Sequence, residues 1–501
     1  MTPETAYAEL IQRTKEAAVL ASCSAVLGWD ERTYMPRNGS AFRGDQMALL
    51  ARMTHEMSTA PQVGEALATV EGSAIVADPA AAINVREIRR AYDRAIKVPK
   101  ELVEELARVT TRAQQAWQEA RQANDFPAFR PWLEKVVALK REEANAVGFA
   151  DHPYDALLDE YEPGATARGV NEVFAKLADD LVPLIAAIGQ STRKPRRDVL
   201  EREYPVDAQK VFAEGAAAAI GFDFKSGRLD VTTHPFCSGI GPGDCRITTR
   251  YNPRFFNEAF FGVLHEAGHG IYEQGLPAVH FGTALGSYCS LGIHESQSRL
   301  WENQVGRGRP FWEGFFPKAQ RAFPGVLGDV SLDDFYFAIN EARPSFVRVE
   351  ADEVTYNLHI ILRFELELAL LTGDLKPADV PAAWNEKFAA RFGLTPPDDK
   401  LGCLQDIHWS MGGIGYFPTY TLGNLYAAQF MAAARAQLPD LDADFRRGEF
   451  GRLKKWLTNH IHWSGRSYRS EELCRRVAGE GLRHEPLMTY LREKYGRLYD
   501  L

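Results

Sequence analysis

The sequence predicts a mainly α-helical fold with one small β patch. Apolar residues recur every three or four positions over most of the chain, and the segment after Pro99 shows this spacing most clearly, with Leu102, Leu106 and Val109 on one face. In contrast, β-branched residues flank a glycine-rich turn in one region only, residues 229–251. The chain has 501 residues, of which 45% are hydrophobic and 25% charged, so it can bury a large core.

The first third of the chain is predicted to be a helical scaffold. Periodic apolar patterns occupy much of residues 3–180 and are interrupted at Met35–Ser40 and at Tyr161–Gly164, where proline and glycine favour loops. Residues 190–206 are polar, contain proline and are basic at their centre. This composition indicates a connection on the surface.

The second part of the chain contains the elements that carry chemistry. Asn252 and Pro253 suit the start of a helix that runs to about Gln274, and Gly275 suits its end. The remaining predicted elements are two strands, Leu229–Thr233 and Arg246–Tyr251, with a loop between them, a long helix from about Ser345 to Leu371, and a glycine-rich aromatic loop, Gly402–Asn424.

Charge and cysteine usage exclude several functional classes. The formal net charge is −9 and there is no long basic run, so we expect no nucleic-acid partner. No apolar run is long enough to span a bilayer, and the first residues lack the order of a secretory signal. Six cysteines are scattered without a CxxC pair, which is typical of reduced thiols. A cytoplasmic protein without a membrane partner is therefore expected.

The segment Phe261–Gly275 contains the pattern His-Glu-x-x-His. On a helix, residues four apart share a face and lie roughly 6 Å apart along the axis, so His265 and His269 can point at one ion. Neutral imidazoles bind zinc, and Glu266 between them can take a proton from a metal-activated water. The pattern therefore predicts a hydrolytic metal centre.

A catalytic zinc needs a third protein ligand, and the motif helix cannot supply it. Glu273 lies eight residues after His265, or about 12 Å along the helix axis, which is too far to share the ion. The longer motif HExxHxxGxxH is also absent. The candidates are Glu295, Glu302 and His294, in the next segment with helical spacing, and spacing alone does not decide among them.

Several separate motifs resemble those of the Taq-type thermostable metallocarboxypeptidase family, over nearly the whole chain. Besides the His-Glu-x-x-His segment they are His234-Pro-Phe236, Asp244-Cys-Arg-Ile-Thr248, His294-Glu-Ser-Gln297, Val347-Arg-Val-Glu-Ala-Asp352 and Gly402-Cys-Leu-Gln-Asp-Ile-His-Trp409, with Gly28-Trp-Asp30 and Met35-Pro36 near the start. Val347 stands where the family usually has isoleucine, a conservative change.

The resemblance implies a ligand set and an architecture. It selects His265, His269 and Glu295 as the metal ligands and Glu266 as the catalytic base. It also implies zinc, although cobalt or manganese would suit the same ligands, and a homodimer. The expected fold is a large helical peptidase body with a long groove, related to angiotensin-converting-enzyme and neurolysin-type peptidases. We expect a single catalytic domain over residues 1–501, with residues 1–200 mainly as groove wall and residues 229–424 as active-site elements.

A carboxypeptidase must also recognise a free C-terminal carboxylate, for which a planar guanidinium is the best-suited side chain. The family motif favours Arg348, which on the predicted helix from Ser345 shares a stripe with Asp352, so that Asp352 could orient it. Arg246 is a second candidate, but Asp244 lies on the same face of its strand. That strand could also pair with the substrate backbone. His234 either binds the substrate backbone or caps its own loop.

The reaction also needs a hydrogen-bond donor for the tetrahedral oxyanion. His408 and Tyr420 are the candidates, and Tyr416 is a rival that the sequence does not rank against Tyr420. Gln405 and Asp406 are expected to support His408. The sequence thus predicts a cytoplasmic zinc metallocarboxypeptidase that removes single C-terminal residues from peptides. Two alternatives are an oligopeptidase or dipeptidyl carboxypeptidase with the same metal site, and a helical binding protein with a structural zinc.

Overall fold

The amino-terminal part of the chain folds into helices, as its apolar spacing predicts. A computed structural model describes residues 1–501. The first eight helices are α1 (Pro3–Thr33), α2 (Ser40–Thr59), α3 (Pro61–Glu71), α4 (Pro79–Lys97), α5 (Lys100–Ala123), α6 (Phe126–Val147), α7 (Pro153–Tyr161) and α8 (Ala167–Gln190). The helix predicted after Pro99 is α5, in which Pro99 is the residue before the first helical position and Asn124 ends the helix with φ 55°.

A small sheet follows α9 (Val206–Ile220). Its strands are β1 (Gly227–Val231), β2 (Cys237–Gly241) and β3 (Asp244–Thr249), in the order β1-β3-β2. β1 is parallel to β3 and β2 is antiparallel to it. The predicted β patch is confirmed, but the prediction of a plain loop before β3 is wrong, because β2 lies inside that segment. Its two glycines hide the strand signal, and pairing with β3 holds it in place.

The position of β3 excludes one predicted interaction. β3 carries the Asp244–Thr248 motif and is hydrogen-bonded on both sides, to β1 and to β2. A central strand has no free edge, so the prediction that this strand pairs with the substrate backbone is wrong. Only β1 and β2 present edges.

The helix that carries the His-Glu-x-x-His pattern, α10 (Phe256–Gly275), begins three residues after Pro253, the predicted first helical residue, and ends at Gly275 as expected. The elements after it are α11 (Leu291–Arg299), a π-helical segment (Leu300–Gly306), α12 (Arg309–Ala322), α13 (Pro324–Leu327), α14 (Leu332–Ile339), α15 (Tyr356–Thr372), α16 (Val380–Phe392), α17 (Pro418–Gln437), α18 (Leu441–Arg447), α19 (Gly451–His460), α20 (Ser470–Ala478) and α21 (Glu485–Tyr499).

The helix predicted from Ser345 is shorter than expected. Residues 345–355 are irregular except for one 3₁₀ turn, Arg348–Glu350, and α15 begins only at Tyr356. The reason lies in Asp352, whose carboxylate accepts hydrogen bonds from the backbone N–H groups of Val354 and Thr355, at 2.9 and 3.0 Å. Asp352 therefore satisfies the backbone ahead of α15 instead of lying inside a helix.

Most of the buried apolar side chains form one core. It contains 98 residues between Ala120 and Tyr499, and α10 lies within it, with Phe256 and Phe260 stacked at a centroid distance of 5.2 Å. A separate cluster of seven residues joins α1, α3 and α4. None of the helices is both long and apolar enough to cross a membrane.

Candidate active site

Three side chains from two neighbouring helices converge on one point. α10 presents His265 and His269, α11 presents Glu295, and one ligand atom of each lies within 4.8 Å of the others. The Oε2 atom of Glu295 lies 3.7 Å from Nε2 of His265 and 3.4 Å from Nε2 of His269. Ligand atoms at about 2.1 Å from a tetrahedral zinc are separated by roughly 3.4 Å, so the set fits such an ion.

Glycine residues allow the helices to approach closely enough to build this set. A Cβ atom on Gly423 of α17 would lie 2.4 Å from Cγ of Glu295, and one on Gly268 of α10 would lie 2.7 Å from the backbone oxygen of Gln297. No larger residue fits at either position without displacement of a neighbouring helix. The position of Glu295 is thus fixed from both sides of α11.

His265 is oriented by a carboxylate behind it. Its Nδ1 atom lies 2.9 Å from Oε2 of Glu302, in the π-helical segment. A carboxylate can only accept, so the proton is on Nδ1 and Nε2 keeps its lone pair for a metal. Glu302, a competing candidate for the third ligand, instead contacts Nδ1 of His265, on the opposite side of the ring from the metal-binding Nε2 atom.

His269 is oriented by a chain of two side chains. Its Nδ1 atom lies 2.6 Å from Nδ1 of His294, and Nε2 of His294 lies 2.7 Å from Oε1 of Glu273. Because the Glu273 carboxylate accepts a hydrogen bond from Nε2–H of His294, Nδ1 of His294 accepts one from Nδ1–H of His269, which leaves the lone pair of His269 Nε2 free. The other two residues weighed as ligands, His294 and Glu273, therefore hold a ligand in place.

Arg299 determines which oxygen of Glu295 is free. Its Nε atom donates to Oε1 of Glu295 at 2.7 Å, and its Nη1 atom donates to Oε2 of Glu302 at 3.1 Å. Burial opposes ionisation of Glu295, but the neighbouring Arg299 and His265 hold its pKa well below the usual range. Oε2 accepts only a 3.2 Å hydrogen bond from the Ser298 hydroxyl within the protein and keeps a lone pair for a metal.

Glu266 is the residue between the two histidines. It is buried, 6% exposed, and its carboxylate makes no hydrogen bond within the protein. Burial raises the pKa of Glu266 to about 7. A free carboxylate of this kind can accept and return a proton near neutral pH.

Arg348 lies in a buried cluster with two other charged groups. Its Nε and Nη2 atoms lie 2.9 and 2.8 Å from Oδ1 of Asp406, and Nε of Arg363 donates to Oδ2 at 2.6 Å. Two guanidinium groups share one carboxylate, so the cluster carries an excess positive charge. The predicted pairing of Arg348 with Asp352 is wrong, because the two are not on one helix and Asp352 instead binds Val354 and Thr355 ahead of α15.

Gln405 ties the Arg348 turn to the segment that carries Asp406. Its Oε1 atom accepts from the backbone N–H of Arg348 at 2.8 Å, and its Nε2 atom donates to the backbone oxygen of Phe346 at 3.0 Å. Gln405 thus supports Arg348. The expected contact of Gln405 with His408 does not form, and Asp406 is 3.9 Å from Nδ1 of His408.

The aromatic segment after residue 402 lies beside Arg348. Nε2 of His408 is 3.3 Å from the hydroxyl of Tyr420, and the guanidinium of Arg348 lies 5.1 Å from the Tyr420 ring centroid. The Tyr416 ring is 5.4 Å from that of Tyr420. Burial lowers the pKa of His408 to about 4, so its imidazole is neutral at neutral pH and can donate from one nitrogen. The geometry does not rank Tyr416 against Tyr420.

The sheet contributes two further candidates. Nη2 of Arg246 lies 2.8 Å from Oδ2 of Asp244, on the same strand face as predicted, and its guanidinium stacks 4.2 Å from the Trp29 ring centroid. Arg246 is therefore already paired. His234 is exposed, and its side chain makes no hydrogen bond within the protein, so of its two alternative roles the capping of its own loop does not form.

The sequence alone does not identify three residues of the site, which are Arg299, Arg363 and Tyr356. Tyr356 accepts a hydrogen bond from Nη1 of Arg348 at 3.0 Å, and Arg299 lies 4.6 Å from its ring centroid. Tyr356 thus connects the Arg348 cluster to the partner of a metal ligand. Arg299 has a visible signal, four residues after Glu295 on α11, whereas Arg363 and Tyr356 are recognisable only from the fold.

Comparison with known proteins gives matches over the whole chain. The model of the family described as carboxypeptidase Taq (M32) metallopeptidase matches residues 9–495. Thermostable carboxypeptidase 1 of Thermus thermophilus is 51% identical over the full length of both chains. Carboxypeptidase 1 of Bacillus subtilis is 38% identical, over 100% of this chain and 99% of the relative. The crystal structure of an M32 carboxypeptidase from Deinococcus radiodurans superposes with a TM-score of 0.97 at 40% identity, over 99% of this chain and 100% of that one.

Proposed function

Because the chain belongs to the carboxypeptidase Taq (M32) metallopeptidase family, we propose that it removes single C-terminal residues from peptides with zinc as its metal. The metallocarboxypeptidase activity follows from the family. The choice of one residue per cycle rests on one observation, the excess positive charge of the buried Arg348, Arg363 and Asp406 cluster. Tyr356 links this cluster to Arg299, the partner of Glu295. Burial of an excess positive charge is costly unless an anion neutralises it, and the C-terminal carboxylate of a peptide is such an anion.

Arg348 can bind the carboxylate without giving up its partners. A guanidinium has five N–H donors. Two point to Asp406 and one to Tyr356, so one donor remains on each Nη nitrogen. Asp406 and Tyr356 hold the group in a fixed orientation, which reduces the entropy that substrate binding costs. A peptide held there places its last peptide bond toward the metal ligands.

His265, His269 and Glu295 would hold the ion, since their free atoms have the spacing and the chemistry that zinc prefers. When bound, the ion polarises the peptide carbonyl and lowers the pKa of water. Glu266 accepts the proton of the attacking water and donates it to the leaving amine. The hydroxyl of Tyr420 or the neutral imidazole of His408 donates to the oxyanion, with Tyr416 as the alternative tyrosine. His234 and Arg246 lie outside this set and line the substrate cleft.

Two peptide substrates that differ only in their C-terminal group, a carboxylate or an amide, test the proposal. A peptide with a free C-terminus is incubated beside its C-terminally amidated twin, and the products are sequenced over time. We expect stepwise loss of single residues from the free peptide and at least 100-fold slower cleavage of the amide, since a bidentate charged contact is lost. Equal cleavage of both peptides, or release of dipeptides, would contradict it. Metal analysis of purified protein distinguishes zinc from cobalt and manganese.

We also propose that the whole chain forms one catalytic unit and acts as a cytoplasmic homodimer. The family resemblance supports the dimer, and α2 supplies a surface: Phe42, Leu49 and Met53 lie on one face of it and are 69%, 48% and 40% exposed. An exposed apolar stripe of this kind often marks an interface. All six cysteines are free, which suits a reducing compartment. Light scattering of the protein and of Phe42→Glu tests the dimer, and fractionation tests the location.

A further inference from the structure

Two cysteine side chains meet on the sheet beside the candidate active site. Cys237 lies on the edge strand β2 and Cys245 on the central strand β3, and their Sγ atoms are 3.7 Å apart. Cys237 is paired with Ile247, so Cys245 is its diagonal neighbour on the same face of the sheet. The residue directly opposite Cys245 is Gly239, which has no side chain and leaves room for Cys237.

We propose that Cys237 and Cys245 form a reversible disulfide under oxidation, and that this bond lowers peptidase activity. The Sγ atoms must approach from 3.7 Å to the roughly 2.0 Å of a disulfide. β3 is held by strands on both sides, whereas β2 is free on one side. Because β2 is already hydrogen-bonded to β3, the two sulfurs close the remaining distance by rotation of their side chains together with a local shift of β2.

The oxidation balances with hydrogen peroxide as the co-reactant. Cys237 is the more accessible thiol, since Cys245 is only 3% exposed. The sulfur of Cys237 attacks the O–O bond and becomes a sulfenic acid, and one water molecule leaves. The thiol of Cys245 then attacks that sulfur, the S–S bond forms and a second water molecule leaves. The two thiols lose two electrons, which reduce the peroxide.

β2 is in contact with the chain of side chains that orients a metal ligand. A Cβ atom on Gly239 would lie 2.4 Å from Oε2 of Glu273, so the strand backbone packs directly against this carboxylate. Glu273 holds His294, and His294 holds His269. A shift of β2 displaces Glu273 and disturbs the orientation of His269. Cys237 also directly follows Phe236, so the shift moves the His234–Phe236 segment as well.

The crosslink can be detected without reference to activity. Cys237 and Cys245 lie in one tryptic peptide, residues 229–246. The metal-loaded protein, in a Cys23→Ser background that removes the exposed thiol, is treated with hydrogen peroxide, alkylated and digested. We expect this peptide to be lighter by two hydrogen atoms and without alkyl groups. Two alkylated thiols, or sulfinic acid on either cysteine, would overturn the site.

The second arm measures activity and rests on the proposed peptidase function. Oxidation should lower kcat/KM roughly tenfold, as for loss of a partner of a metal ligand, and a phosphine reductant should restore it. Cys237→Ala, with its folding checked by thermal unfolding, should keep its activity through the same treatment. Equal inactivation of Cys237→Ala, or an active crosslinked protein, would overturn the coupling. Absence of peptidase activity before oxidation would instead contradict the proposed function and leave the mass result unaffected.

Discussion

The Nδ1 atoms of His269 and His294 lie 2.6 Å apart, and one proton between them determines the orientation of a metal ligand. His265 and His269 reach a carboxylate by different routes, since His265 contacts Glu302 directly and His269 contacts Glu273 only through His294. The two-step route needs His294 neutral, with its proton on Nε2 toward Glu273. His294 therefore orients a metal ligand, in addition to preceding the ligand Glu295 in the sequence.

Replacement of His294 by Gln should weaken metal binding. The amide cannot reproduce the path from His269 to Glu273, so we expect metal affinity to fall about 10- to 100-fold, as measured by chelator competition. Glu273→Gln should give a smaller loss in the same direction. His55→Gln, at an exposed site on α2, is the matched control and should bind metal as the unmodified protein does. Unchanged affinity in His294→Gln would contradict the proposed orientation of His269.

Replacement of Arg348 by Lys should remove the preference for a free C-terminus. Lysine keeps the charge but loses the planar fork and its contacts with Asp406 and Tyr356. We expect kcat/KM for the free peptide to fall by about 100-fold, while the slow cleavage of the amidated twin changes little. Arg246→Lys is the control, because Arg246 is already paired with Asp244. If Arg246→Lys loses the preference and Arg348→Lys keeps it, the anchor has been placed wrongly.

Local signals in the sequence predicted the metal centre more fully than the substrate-binding side. The spacing of His265 and His269 predicts a shared helix face, and the structure has both on α10. Helical periodicity alone could not separate Glu295 from Glu302, because both lie on the same side of the same segment and the choice depends on how α11 packs. In the structure Glu295 converges with the two Nε2 atoms, whereas Glu302 contacts Nδ1 of His265.

The partner of Arg348 could not be predicted from its own segment. Spacing indicates Asp352, four residues later on a predicted helix, but this carboxylate accepts hydrogen bonds from the backbone ahead of α15. The true partner, Asp406, lies 58 residues further along the chain. Long-range pairs of this kind depend on tertiary packing, which local propensity does not contain. The strand β2 was missed for the same reason, since pairing with β3 overrides its glycine-rich composition.

Replacement of Gly423 by Ala should disturb both stability and metal binding. The added Cβ would lie 2.4 Å from Cγ of Glu295, so α17 must move away from α11. We expect a loss of about 1–3 kcal/mol in the free energy of unfolding, as for other overpacked sites, together with weaker metal binding. Gly215→Ala is the control, because a Cβ there meets nothing within 4 Å in the middle of α9. It should leave stability unchanged or raise it.

Glu367 should make the stability of the protein depend on pH. It is fully buried and accepts hydrogen bonds from Tyr154, Trp409 and the backbone of Gly415, at 2.7, 2.9 and 3.1 Å. Burial raises the pKa of Glu367 to about 7, above the roughly 4.3 of an unfolded chain. The folded state thus binds more protons between these values, and stability from this group falls as pH rises through that window. The contribution of Glu367 to stability is fully present at pH values below this window.

The matched measurement compares the protein with Glu367→Gln at pH 5 and pH 7.5. The unfolding free energy of the protein, with metal saturating at both pH values, should include a fall of about 2–3 kcal/mol from Glu367 between them. Glu367→Gln should lack this component, so the difference between the two proteins should shrink as pH rises. The variant loses an acceptor for Gly415 or Tyr154, so it should be less stable at pH 5. A difference that stays constant from pH 5 to pH 7.5 would show that Glu367 does not titrate in this range.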